Sequence, residues 1–316
     1  MGKDKSGFFN SPVVDPAAIT GLPGPAYASL KEQLSATYTG CNHAHDDFSM
    51  SDDITLGIPA DELKKLLEKI VRQVWKNKAM PRQIDKALTS FFTSEYWKAV
   101  EQGYGLQLEE LDFESPDYTM LRKLEMDVFQ FSSAKTYQQL KAISQALLDE
   151  NGMLRSFSQF RIAAAEVNNQ FVNQWLRAEY NYAVASAQSA SQWQQIQATK
   201  DVLPLLKYVT AGDERVRQEH LELEDVVRPA DDDFWNIYYP PNGWNCRCDV
   251  QQLDSGSITP LEKISYQDIK PIFKYNPGKQ GFAFPPGHPY YDGLPDNVRE
   301  QGLQLWIDER IDTNKD

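Results

Sequence analysis

Apolar residues recur at steps of three and four through most of the chain, the period of helices that bury one face. From residue 60, Leu63, Leu66, Leu67, Ile70, Val71 and Val74 keep that spacing with lysines and glutamates between them. Met80-Pro81 is expected to end or break that helix. A second helix is predicted over Asp85–Tyr104, with Leu88, Phe91, Phe92, Trp97 and Val100 among its apolar positions. Asp117–Phe131 and Ser133–Asn151 read as two more, the latter closed by Asn151-Gly152. The longest runs roughly from Ser156 to Thr199. Its stripe of Phe160, Ala164, Val167, Phe171, Trp175, Ala178, Tyr182, Ala185, Ser189 and Trp193 extends over about nine turns. Ala183, Ala185, Ala187 and Ala190 on the same segment let a neighbouring helix approach closely.

Either side of this helical stretch the texture differs. Residues 1–55 read as an irregular arm, punctuated by Pro12, Pro16, Pro23 and Pro25, in which 26–38 is a candidate short helix. After Lys200, Leu203–Val209 and Val250–Leu253 are short apolar or alternating runs that suit strands. Pro, Gly and aromatic residues dominate Pro229–Gly243 and Lys274–Gly293. The expected architecture is therefore mainly α. It comprises the arm at 1–55, a helical domain with long helices at 56–200, and a small α+β module rich in turns at 201–316.

Composition narrows the function classes. The 316 residues can bury a sizeable core, and 41% hydrophobic with 24% charged residues is ordinary for a globular chain. The formal charge of −13 argues against nucleic-acid binding over the whole surface and leaves room for a small basic patch. No apolar run is long enough to cross a membrane as a helix. The start lacks the apolar core of a secretory signal peptide, so the chain is expected to be cytoplasmic when made. Met1-Gly2 with Ser6 fits the beginning of a myristoylation motif, and nothing else supports lipidation. Three cysteines cannot make a disulfide framework.

The densest chemistry lies in Asp213–Cys248, where Cys246-Arg247-Cys248 follows Pro240-Pro241-Asn242-Gly243-Trp244 and His220 lies upstream on a charged segment. Thiolates and imidazoles are the ligands zinc prefers. Cys246 and Cys248, with His220 and His288 as companions, are candidate ligands of a structural zinc ion. The alternative is a pair of free thiols packed under Trp244. The single residue between the cysteines is shorter than the usual structural spacing, and no HExxH helix supports a catalytic metal. Cys41, His43 and His45 alternate at a chelating spacing but read as a solvated loop. The GxSxG, GxGxxG and GxxxxGKS motifs are absent. Asp231, Asp232 and Asp233 in succession cannot all face one ion and suit a capping or turn role before Phe234-Trp235. Arg215 and Arg217, with Asp213 and Glu214, are a candidate phosphate-binding cluster, against which mutual salt bridging inside a compact turn is the favoured reading. Arg247, between two inward cysteines, should project to the opposite side.

These residues carry a resemblance. Asp213, Arg215, Val216, Arg217 and His220, then Phe234, Trp235, Pro240, Pro241, Gly243, Trp244, Cys246, Arg247 and Cys248, resemble the hallmark of the phage Mu protein F-like family of minor head proteins. The stretch 175–193 resembles the segment leading into that module. Asn276-Pro277-Gly278 and His288-Pro289-Tyr290 resemble its close. The likeness covers about residues 157–291, and the chain departs from it at Glu224-Asp225 and Asp233. What it implies is a non-enzymatic virion component that associates with the portal protein and other head proteins. Its expected role is head or procapsid morphogenesis, or early DNA delivery, with self-association through the helices. The competing reading is a metal-dependent nuclease or transferase using His220 and the aspartates. A third is a nucleic-acid-binding packaging factor, against which the acidic balance counts.

Overall fold

The computed structural model of the protein describes residues 32–38, 60–266 and 269–313. The arm expected at 1–55 lies outside these residues except for 32–38, which forms helix α1. Cys41, His43 and His45 also lie outside them. Five helices build the body: α2 (Ala60–Asn77), α3 (Lys86–Tyr104), α4 (Pro116–Gln145), α5 (Phe157–Asn168) and α6 (Leu176–Thr199). Local chemistry sets their ends. Asp85 caps α3 by accepting from the Leu88 amide at 3.0 Å, and Gly105 closes it at φ 78°. Ser115 accepts from the Tyr118 amide ahead of Pro116, and Ser156 forms a reciprocal capping box with Gln159.

Two expectations about these helices are corrected. The helices read over 117–131 and 133–151 are one, because the Ser133 hydroxyl donates to the Phe129 carbonyl at 2.8 Å within the helix. It therefore caps nothing new, and the joined helix stops at Gln145, before Asn151-Gly152. The long helix over 156–199 is interrupted by a π-helical turn at Asn169–Gln174, where the Trp175 amide donates to the Gln170 carbonyl. The wider turn brings Phe171, Val172, Trp175 and Leu176 all into the interior.

A three-stranded antiparallel sheet follows, in the order β2 (Val227–Pro229), β1 (Leu205–Val209), β3 (Asp249–Leu253). Its register pairs Tyr208 with Val250 and Leu206 with Arg228. Strand β2 is too short for its alternation to be read in advance. Helices α7 (Gln218–Leu221), α8 (Pro277–Gln280) and α9 (Asp296–Thr313) complete the fold, which is mainly α. Among the described residues no helix is long and apolar enough to cross a membrane.

Two apolar clusters result. The larger fills the space between α2 and α6 and includes Ala283, Phe284, Tyr290, Leu294, Val298 and Leu305 from the C-terminal segment. The smaller sets Tyr182, Trp193 and Ile196 of α6 against the sheet and its loops. α6 thus faces both. Its small residues permit close packing, with Ala183, Ala187 and Ala190 fully buried. A Cβ at Gly103 of α3 would fall on the Val184 carbonyl oxygen of α6, and one at Gly278 would fall on Trp193.

The C-terminal segment is fastened to α4 at Asp127, whose Oδ2 accepts from the Ala283 and Phe284 amides, each at 2.9 Å. Burial pushes this carboxyl up to about 7 despite those two bonds. Between the ordinary carboxylate range and pH 7 the folded chain therefore binds a proton that the unfolded chain releases, so this group's contribution falls as pH rises through that window. Asp127→Asn keeps an acceptor and removes the titration. Its stability relative to the parent should rise by up to about 4 kcal/mol between pH 4 and pH 8 in urea unfolding. A pH-independent difference would remove Asp127 as the source.

Candidate functional site: a thiol and imidazole group beside a buried carboxylate cage

The segment from Asp213 to Cys248 folds back on itself through its own side chains. Arg247 donates to both oxygens of Asp213 at 2.7 and 2.6 Å, and holds that carboxyl well below the usual carboxylate range. Arg215 also reaches Asp213, at 3.4 Å. Arg217 donates to the Trp244 carbonyl, against the open side of Gly243. Asp232 caps the turn at Asp233–Asn236 by accepting from the Phe234 amide, and it pairs with Arg228 at 2.5 Å. Of the salt bridging expected among Arg215, Arg217, Asp213 and Glu214, the Arg215–Asp213 pair forms, Arg247 also joins Asp213, and Arg217 reaches a backbone carbonyl.

The Pro240-Pro241 bond is cis, and the following Asn242 is 3% exposed. Its amide nitrogen donates to the Ile237 and Tyr239 carbonyls, and its oxygen accepts from the Tyr208 hydroxyl at 3.1 Å. The Tyr182 hydroxyl of α6 lies 3.3 Å from the Pro241 carbonyl, and Tyr239 donates to the Ser189 carbonyl of the same helix. Asn245 adopts φ 53°, and the Cys246 amide donates to the Gly243 carbonyl at 3.1 Å. Strand β3 begins at Asp249, so the ladder with β1 fixes the chain directly after the second cysteine.

This framework brings His220, Cys246 and Cys248 together, their ligand atoms all within 4.8 Å of one another. His220 Nδ1 lies 3.7 Å from Cys246 Sγ and 3.4 Å from Cys248 Sγ. In a tetrahedral ion with ordinary Zn–N and Zn–S bonds the N···S edge is about 3.6 Å. The group can therefore hold a metal ion with little movement. It also favours the ligating form of one sulfur: the Cys248 thiol and His220 hold Cys246 well below the usual thiol range. The same Cys246 neighbour, with burial, pushes Cys248 up.

His288, the fourth expected ligand, is not brought to this group. It is fully buried, and its two ring nitrogens are engaged elsewhere. Nδ1 accepts from the Tyr290 amide at 3.2 Å, so Nε2 carries the proton and faces the Tyr38 hydroxyl at 3.1 Å. Burial, with Lys135 close by, holds His288 well below the usual imidazole range.

Tyr38 donates in turn to Glu179 Oε1 at 2.6 Å, beside Tyr290 at 2.8 Å. Glu179 Oε2 takes the Tyr96 hydroxyl and the Lys135 ammonium. Both members of this ion pair have no exposed side-chain surface. Burial lowers Lys135 to about 8 against the opposing pull of Glu179, and the ammonium also faces the Phe92 ring at 4.7 Å. Sequence reasoning passed over this cage, although a signal existed. Glu179 falls four residues after Trp175 and three before Tyr182, on the apolar stripe itself.

Residues 134–251 match the family model described as Phage Mu protein F like protein. It is 41% identical over 88 residues to protein F of Escherichia phage Mu, whose name assigns it to capsid assembly; the match covers 28% of this chain and 20% of that protein. It is 37% identical over 73 residues to the Mu-like prophage FluMu F protein of Haemophilus influenzae, covering 23% and 18% respectively. The matched portion thus spans about a fifth of the length of these curated relatives. No solved structure matches.

Breaking a buried ion pair on one side strands its partner. Glu179→Ala should cost about 3–5 kcal/mol in denaturant unfolding, and adding Lys135→Met should recover part of that loss. Strictly additive losses would mean the two residues act independently.

Proposed function

We propose that the protein is a minor head protein of a phage, present in the virion, that acts in head morphogenesis at the portal vertex without catalysing a reaction. The observation that carries this reading is the way the family's hallmark residues are spent. Asp213 is taken by Arg247, Arg217 by the Trp244 carbonyl, and His220 Nδ1 by two sulfurs. His220 is 2% exposed, whereas a general base must reach a substrate proton. Side chains used in this way build a rigid body, which suits an assembly part. The capsid-assembly name of the phage Mu relative agrees with it.

Within this reading the His220, Cys246 and Cys248 group binds zinc as a structural staple, joining α7 to the end of the Pro-Pro-Asn-Gly-Trp turn. Two sulfurs and one imidazole suit zinc's borderline-soft character, and zinc bound there would draw the proton from the remaining thiol.

Co-purification with the portal protein of the same genome, and detection in purified virions, test the assembly role. Retention on portal and presence in particles are expected; absence from both would end the proposal. Metal analysis of the purified chain tests the staple. About one equivalent of zinc is expected, lost in the Cys246→Ser/Cys248→Ser variant together with a lowered Tm. A folded, metal-free parent would leave the cysteines as packed thiols.

A further inference from the structure

The charge of this chain is unevenly distributed. Residues 60–86 carry eight lysines and arginines against four carboxylates, in a chain whose formal charge is −13. Helical spacing orders the cations. Lys65, Lys69, Arg72 and Lys76 stand at i, i+4, i+7 and i+11 on α2, within about 60° of arc and over about 16 Å of axis. The buried residues Leu63, Ile70, Val71 and Val74 occupy the opposite face, so the basic stripe points outward. All four of its members are exposed.

The stripe does not stop at the helix end. Lys76, Lys78, Arg82 and Lys86 line a cleft of about 1090 Å³ between the end of α2 and the start of α3. Lys78 lies over the Trp75 ring, which fixes one cation at its mouth. None of the eight cations forms an ion pair with another described residue; the pairs involve Lys98, Arg122, Lys135, Lys200, Lys207, Arg215, Arg228, Arg247 and Arg310. The four carboxylates sit at the margins. Asp61 and Glu62 are in the first turn of α2, Glu68 lies to one side of the stripe, and Asp85 is occupied in capping α3.

A charged helix face is ordinarily a solvated one. Two features separate this face from that default: aligned cations that form no ion pair with a described residue, and their continuation into a concave surface. Protein partners are anchored by buried apolar or aromatic groups. The exposed large hydrophobic residues, such as Phe113, Met153, Ile162 and Val202, all lie outside residues 60–86. A polyphosphate needs no such anchor, because counterion release alone drives its binding.

We propose that α2 and the turn after it bind the phosphate backbone of double-stranded DNA without reading its sequence. DNA binding by this face is independent of the head-assembly reading.

The test is duplex binding by the full-length chain, followed by fluorescence anisotropy with a labelled 30-base-pair DNA at several salt concentrations. With about four phosphates neutralised, affinity should fall roughly a hundredfold between 50 and 200 mM salt, alike for unrelated sequences. The variant K65Q/K69Q/R72Q/K76Q, altered only at exposed positions, should bind at least tenfold more weakly and lose about three of the slope in log K against log salt. Replacing Arg161 and Lys263, exposed cations elsewhere, should change neither quantity. Circular dichroism checks that each variant is folded. Absence of duplex binding at 50 mM salt, or a four-residue variant with the parent's affinity and slope, would overturn the proposal. So would equal binding of poly-glutamate, which would point to an acidic protein instead.

Discussion

A carboxylate with no exposed surface is tolerated only where its oxygens are met, and Glu179 is met from four directions. Lys135 comes from α4, Tyr96 from α3, Tyr290 from the C-terminal segment and Tyr38 from α1. Each partner belongs to a different part of the chain, so the cage forms only when those parts have converged on α6. A buried ionic network of this kind adds little to stability beyond what apolar packing would give. Its effect is on specificity, because any arrangement of the helices that leaves out one partner strands a buried polar group. The close backbone approach at Gly103 and Val184 sets the same helix pair by shape. Shape and polarity therefore select one packing.

The cage also reaches the hallmark segment. Tyr38 stacks between Trp175, at 5.6 Å, and Trp244, at 4.7 Å. His288 packs edge-on to Trp244 while its Nε2 holds the Tyr38 hydroxyl. Trp244 lies two residues before Cys246, so the geometry of the thiol and imidazole group depends on packing that begins at Glu179. His288 is tied to this segment through its contact with Trp244 rather than by ligation.

Much of this was legible in the sequence, and the gaps have physical causes. The periodicity of 60–199 located the helices because each buries a stripe. It misjudged their joints: Ser133, where a new helix was expected to begin, bonds back inside a continuous one. Neighbouring His and Cys residues in the chain identified the 213–248 segment, and three of the four residues singled out as ligands lie together. His288 was grouped with them by residue type. Type cannot report that an imidazole already has two partners, one of them the hydroxyl of Tyr38, 250 positions away. Lys135 was invisible for the same reason, looking like an ordinary helix-surface charge until the other helix is present, whereas Glu179 stood on the apolar stripe and was passed over.

Net charge was the least informative quantity when taken over the whole chain. An overall −13 suggests a molecule that avoids polyanions, yet the same number describes one that meets them in a single orientation. Acidic surfaces elsewhere repel phosphate, and the α2 stripe is where that repulsion reverses. Electrostatic steering depends on such contrast more than on total charge. The proposed contact is confined to one face of α2, and α2 precedes residues 134–251, so it is separate in sequence from the stretch that the family model matches.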